Sequence, residues 1–404
     1  MQKQVLLNSI KGIFNPKFID NLIYVLIGFW LIVKLIDFTT ISISYQAVYT
    51  FQIKISKVLC VLFFLYYLYK WWDCSKVKLN LMLCVLFLIA TYFLNKYTKT
   101  QLVYDLFFVP LFLCQFLDKE RFFKYVLISF CLFFIVSLCL HFYGIINDTD
   151  TFFRQSGIRR YSLGFIHPNA LGFYVVLFCF FYVMLKTTYK FYDYLIFMAL
   201  AYFCYKVPNS ITSSNLIVLL TVFAFLSNLL LRKEIGDKTN YIILVVCLFF
   251  VATVLFFTYY ITFTETFKSF LQGMPGSIWA RFELSKKGYE TFGFTLLGRY
   301  DEYVAMGVSI TQKYGPKAMW LILDCSYFYL PIMHGVIVFF LYMVMLIVVL
   351  IKGILHKKYL YALMVLILVL YGVSETTIFR AVLMPLFAYP FFLNSKKKLA
   401  IKYI

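Results

Sequence analysis

Charge is scarce in this chain. Only 14% of its 404 residues are Asp, Glu, Lys or Arg, where a soluble domain carries about a quarter. A soluble globular domain of this length is therefore excluded. Acidic residues are scarcer than basic ones, 18 against 38. Histidine occurs only four times. No two cysteines stand in C-x-x-C spacing, and Cys60, Cys84, Cys114, Cys131, Cys139, Cys179, Cys204 and Cys247 lie inside apolar runs. They read as small core hydrophobes rather than as disulfide partners or metal ligands. No metal and no cofactor are expected.

What fills the chain is apolar. The sequence is 63% hydrophobic and 22% aromatic, with a mean hydropathy of +0.84. Tyr and Trp favour membrane–water interfaces. The formal charge of +20 does not point to nucleic acid. The basic residues sit in short clusters between apolar runs, where they act as topology signals and contacts to anionic lipid. Met1 to Lys17 is polar and basic, and many apolar runs follow the first, so a cleaved signal peptide is not expected.

A membrane-spanning helix needs about 20 apolar residues. Runs of that kind fall at 19–37, 53–70, 79–95, 101–117, 125–144, 168–186, 190–206, 211–231, 241–263, 327–351, 359–374 and 378–394. The expected fold is an all-α polytopic membrane protein, with about 12 transmembrane helices in a single integral membrane domain over 1–404. With both termini cytoplasmic, the short inner segments carry about 21 Lys and Arg and the short outer ones about nine, as the positive-inside rule requires. Residues 264–326 form the one long extracytoplasmic loop. Ile278, Phe282, Ser285 and Tyr289 recur there at helical spacing, which predicts short surface helices.

Ionisable groups at membrane depth cost about 2.5–3.5 kcal/mol each on insertion scales, and so mark candidate functional sites. On this map they gather at the outer side. Asp105, Arg159, Arg160, His167, Asn169, Lys206, Asn209, Asp324, Glu375 and Arg380 lie at outer span ends, and Arg281 and Arg299 in the long loop. Arginine dominates the set. Its planar fork binds phosphate through paired hydrogen bonds and stays charged when partly buried. An anionic, phosphate-bearing ligand in the outer leaflet is expected. If a glycan leaves a lipid pyrophosphate, the leaving group is already a stable anion and needs cations rather than an acid. The acceptor hydroxyl needs a base. Asp324 and Glu375 are the base candidates, or partners of Arg380 or Arg160 in structural ion pairs. His167 either lines a sugar site or caps the helix beginning at Pro168. Ser210 to Ser214 either contact sugar or cap a helix. His141, His334 and His356 read as structural.

Specific residues carry a resemblance. The stretch Arg160-Tyr161-Ser162-Leu163-Gly164-Phe165-Ile166-His167-Pro168-Asn169-Ala170-Leu171-Gly172 resembles the R-x-S-L-G-F-x-H-P-N-x-x-G segment of bacterial O-antigen and capsule polysaccharide polymerases of the Wzy type. Gly276-Ser277-Ile278-Trp279-Ala280-Arg281 with Leu296-Leu297-Gly298, Asp324-Cys325-Ser326-Tyr327 with Gly335, and Ser374-Glu375 are similar to that family's later motifs, in the same order. Ala280 stands where the family has Gly, and Cys325 where it has Asn.

The resemblance implies a membrane glycosyltransferase-like fold with an outward cavity, in a bacterial plasma (inner) membrane. It implies transfer of a growing glycan from one undecaprenyl-pyrophosphate carrier to another lipid-linked repeat unit, without metal. The expected catalytic residues are Arg281, Arg160, Glu375 and Asp324. The expected substrate contacts are Arg159, His167, Asn169, Arg299, Arg380 and Tyr327. Expected partners are the undecaprenyl-pyrophosphate-linked oligosaccharide as donor and acceptor, membrane lipids, and the flippase and chain-length regulator of the same pathway. Two alternatives stay open. One is an O-antigen ligase-type transferase with a different acceptor. The other is a lipid-linked oligosaccharide flippase or transporter, which the one-sided polar set and the lack of an internal repeat disfavour.

Overall fold

The computed structural model describes residues 16–41, 45–73, 78–98, 101–147, 152–153, 159–186, 188–230, 236–264, 267–272, 278–299, 304–305, 321–323, 325–373, 375 and 380–392. The protein is an all-α membrane protein. Seven of its described helices are long and apolar enough to cross a bilayer: Lys17–Phe38, Thr50–Trp71, Lys119–Phe142, Pro168–Leu185, Ile211–Asn228, Lys238–Thr264 and Val336–Leu355. Four further apolar helical runs, Leu81–Lys96, Leu102–Phe116, Tyr359–Tyr371 and Ala381–Phe392, are shorter. At about 1.5 Å per residue, the shortest of them span well under the roughly 30 Å hydrocarbon core.

Helix starts follow local chemistry. Asp118 caps the Lys119–Phe142 helix by accepting the Arg121 N–H at 2.9 Å, and Asp193 accepts the Lys190 N–H at 2.7 Å to open Phe191–Lys206. These bonds satisfy donors that the first helical turn leaves without partners.

The Pro168–Leu185 helix is central. Of its residues 78% are buried, against 11% of the Lys238–Thr264 window; the second leaves most of its surface to lipid. The central helix packs against Lys119–Phe142 on one side and Ile211–Leu230 on the other. Close approach to the latter depends on Gly172. A Cβ there would meet Ser213 Oγ at 2.6 Å and Ser210 Cβ at 2.8 Å, the small-residue packing common between membrane helices.

Two expected spans are not single helices. The run at 101–117 divides into an α-helix over Leu102–Phe108, a π turn over Val109–Leu113 and a 3-10 turn over Cys114–Phe116. Pro110 stands in the π turn and has no N–H to give the ladder. The run at 327–351 is broken at His334-Gly335, into Ser326–Met333 and Val336–Leu355. The backbone groups freed by this break are taken up by residues 295–299. Arg299 N–H donates to Met333 O at 3.0 Å, Val336 N–H to Thr295 O at 2.8 Å, and Ile337 N–H to Leu296 O at 3.3 Å. Broken helices are tolerated at membrane depth only when such partners exist.

Asp105 does not join the Glu375 cluster. It is buried and paired with Lys34, Nζ to Oδ2 at 2.7 Å. Breaking one partner of a buried pair leaves an uncompensated charge, so the pair ties the first helix to the Leu102–Phe108 segment.

Between Thr264 and Ser326 the described residues form the helices Lys268–Gln272 and Ile278–Phe292, and a short parallel pairing of Val304–Ala305 with Leu321–Ile322. The helix read from the 278–289 spacing is present.

Candidate functional site

The segment 159–167 is strapped on two sides. Tyr161 N–H donates to Val207 O at 3.1 Å, and Arg160 Nε–H to Pro208 O at 3.0 Å. Across the segment, Thr40 N–H donates to Gly164 O at 3.0 Å and Ile166 N–H to Phe38 O at 2.9 Å. The turn between them closes with Phe165 N–H on Ser162 O at 2.9 Å. Leu163 (φ 49°) and Gly164 (φ 82°) take left-handed backbone there. The straps fix where Arg160 and His167 project. His167 then caps the central helix, its Nδ1 accepting the Asn169 N–H at 3.0 Å, with Pro168 in the first helical position.

Four side chains meet beyond this cap. An Arg160 terminal N–H donates to Asn169 Oδ1 at 2.5 Å. Asn169 Nδ2–H donates to Glu375 Oε1 at 3.1 Å. Arg281 Nη2 lies 3.6 Å from the same Glu375 oxygen. The Ser326 hydroxyl donates to the Glu375 backbone carbonyl, and Ser326 N–H to Gly372 O at 2.8 Å. The carboxylate is thus held by one arginine directly and by the other through an amide, while its backbone is pinned separately.

Asn169, Arg281 and Ser326 each lie in the first turn of their helix, Pro168–Leu185, Ile278–Phe292 and Ser326–Met333. Helix N-termini carry partial positive charge, about +0.5 each in longer helices. They attract anions, and a cation there works against the dipole. Arg281 is placed against that preference. Among the described residues, the cluster sets one carboxylate against two arginines. Glu375 and Arg281 side chains keep 17% and 21% of their surface exposed, so a ligand can reach them.

His167 feels the same field. Burial foremost, then the Arg160 and Arg281 charges, lower its pKa from 6.5 to about 4. It is neutral at pH 7. Because Nδ1 accepts a backbone N–H, the ring proton resides on Nε2. His167 is therefore a hydrogen-bond donor in this arrangement, not a base. The unfolded chain takes up the proton first, so stability falls as pH drops from about 6.5 to about 4, at up to about 1.4 kcal/mol per pH unit. Thermal unfolding in detergent of wild type against His167→Gln checks this. The wild type is expected to lose stability relative to the variant across that window and to run parallel to it above pH 7.

The remaining expected residues lie elsewhere. Arg159 is exposed and stacks its guanidinium over Tyr161 at 4.9 Å. An Arg299 terminal N–H donates to Phe292 O, and its guanidinium lies 5.5 Å from the Phe292 ring. Arg380 lies over Phe38 at 5.2 Å rather than on Glu375. Tyr327 is fully buried. Its hydroxyl donates to Val369 O at 2.5 Å and its carbonyl accepts from Tyr259 at 2.8 Å, a packing role that keeps its ring from the Glu375 cluster. Asp324 lies outside the described residues. Ser210 and Ser213 bond each other at 2.9 Å beneath Gly172, and Ser214 donates to Ala201 O at 2.9 Å; these serines pack helices. Lys206 lies near the Tyr202 and Tyr205 rings.

Ser326 and Lys34 are not among the expected site residues. Ser326 is one hydroxyl at a helix start. Lys34 is a lone cation in an apolar run, and that rarity was the signal for it. Among the described residues no three or more His, Cys, Asp or Glu gather in one group.

No protein-family model, curated protein or solved structure matches the chain.

Proposed function

We propose that the protein is a polysaccharide polymerase of the outer face of a bacterial plasma membrane. It transfers a growing glycan from one undecaprenyl-pyrophosphate carrier to the terminal sugar of another lipid-linked repeat unit. The observation that carries this reading is the Arg160–Asn169–Glu375–Arg281 constellation. It combines what a pyrophosphate leaving group and an attacking hydroxyl need, two fixed cations and one carboxylate, at the start of three helices.

In the proposed reaction the acceptor hydroxyl oxygen bonds to the anomeric carbon of the donor glycan. The bond from that carbon to the pyrophosphate oxygen breaks, and its electron pair leaves with the lipid pyrophosphate. Arg281 and Arg160 stabilise that departing anion. Glu375 takes the hydroxyl proton. His167, neutral with its proton on Nε2, donates a hydrogen bond to substrate oxygen. On this reading both termini are cytoplasmic, the chain crosses about twelve times with its shorter helices included, and residues 264–326 lie outside the cell.

An O-antigen ligase would use the same constellation with a different acceptor, and the test separates the two. Purified protein in lipid discs is given lipid-pyrophosphate-linked repeat units alone. A ladder of lengthened glycans, with lipid pyrophosphate released in step, is expected. A ligase gives no ladder until a second acceptor is added, and a transporter gives none at all.

A further inference from the structure

The Glu375 carboxylate occupies two donors, Asn169 Nδ2 and Arg281 Nη2, that an anionic ligand would also use. Oxygen Oε1 accepts from Asn169 at 3.1 Å and faces Arg281 Nη2 at 3.6 Å, while Asn169 is itself held by Arg160 at 2.5 Å. Carboxylate and phosphate oxygens use the same donors on arginine, so they compete for this place. The carboxylate's hold is weak on the arginine side, because 3.6 Å is longer than the usual 2.7–2.9 Å of a charge-assisted hydrogen bond. Its backbone is held independently. Ser326 bonds the Glu375 carbonyl and its own N–H bonds Gly372 O at 2.8 Å. Displacing the carboxylate from Arg281 and Asn169 leaves these backbone bonds in place.

We infer that Glu375 is a resident competitor in the arginine clamp, and that a diphosphate displaces it. This rests on the reading above for its catalytic meaning. While Glu375 accepts from Asn169 and faces Arg281, these donors favour its charged form and make it a poorer base. When the diphosphate of the donor takes those donors, the carboxylate is released beside the same ligand, able to accept a proton. Binding of the correct donor thus switches on the base, and water meets an engaged carboxylate when the donor is absent. The arrangement ties activation to an anion and needs no moving lid.

The probe is inorganic pyrophosphate, and the measurement is its affinity for the purified full-length protein in detergent. Removing the competitor is expected to tighten binding. Glu375→Gln should bind at least about fivefold more tightly than wild type. Glu375→Ala should move the same way and covers the case in which the glutamine variant does not fold. Glu283, exposed on the Arg281 helix, is the control for overall charge. Glu283→Gln should leave the affinity within about twofold of wild type. Tighter binding in both Glu375 variants but not in Glu283→Gln supports the competitor. Unchanged or weaker binding in the Glu375 variants, or an equal gain in Glu283→Gln, overturns it. Because pyrophosphate binding needs no turnover, this result is independent of the ladder assay. A competitor without a ladder removes the polymerase reading alone, and a ladder without a competitor removes the displacement alone.

Discussion

Arg281→Ala is expected to abolish chain growth while leaving the protein in the membrane. In cells that lack the native protein, the variant should leave single lipid-linked repeats where wild type restores a long ladder. Removing one donor that stabilises a developing anion typically costs about 10²–10³ in rate, or about 2.7–4 kcal/mol. Arg281 sits in the first helical turn of Ile278–Phe292 and reaches Glu375 at 3.6 Å. A first-turn cation opposes the helix dipole, so the charge does not stabilise its own helix. Arg281→Lys should recover only part of the loss, because an ammonium cannot reproduce the planar fork. A full ladder in Arg281→Ala at normal expression would remove this arginine from the chemistry.

The second large effect is on folding. Gly335→Ala is expected to deplete folded protein from the membrane. Gly335 has φ 92° and ψ 158°, a region open essentially to glycine alone. A Cβ there would stand 2.6 Å from Leu296 O and from Leu297 C, which are backbone atoms and cannot rotate away. The backbone cost is about 1–3 kcal/mol, and overpacking adds about 1–3 kcal/mol. Together these approach the whole stability of many domains. The same contact should fail from its other side in Gly298→Ala, where φ is 86° and the added atom meets Met333 O at 2.6 Å. Fluorescence-detected chromatography of detergent extracts reads the loss directly. Wild-type yield and a wild-type elution profile in both variants would contradict the account of the broken helix.

Much of this architecture is legible in the sequence, and the illegible parts have physical causes. Length and hydropathy locate nearly every helix, because an apolar run long enough to span has few other fates. They do not reveal that 327–351 is broken. Hydropathy averages over His334-Gly335, and the break is stable only because residues 295–299 supply its hydrogen bonds, a long-range pairing that no local window contains.

The site divides in the same way. The sequence marks Arg160, His167, Asn169, Arg281 and Glu375 as polar groups of the outer set, and they converge. The choice between partners was not legible. Glu375 pairs with Arg281 rather than Arg380, because Arg380 is drawn over the Phe38 ring. Asp105, read as part of the outer set, is neutralised by Lys34. Tyr327 follows a motif yet points into the core. Position in a motif gives a residue's place along the chain, while the direction its side chain faces is set by helix rotation and packing, which charge and hydropathy do not encode.

On the proposed function, this arginine–carboxylate site lengthens glycans on the outer face of the membrane. The most direct measurement is the length and the sidedness of lipid-linked glycan in cells lacking the protein, read with a membrane-impermeant label. Single repeats accumulated on the outer face are expected, with a long ladder when wild type is restored. Repeats accumulated on the cytoplasmic face, or a ladder of unchanged length without the protein, would contradict it.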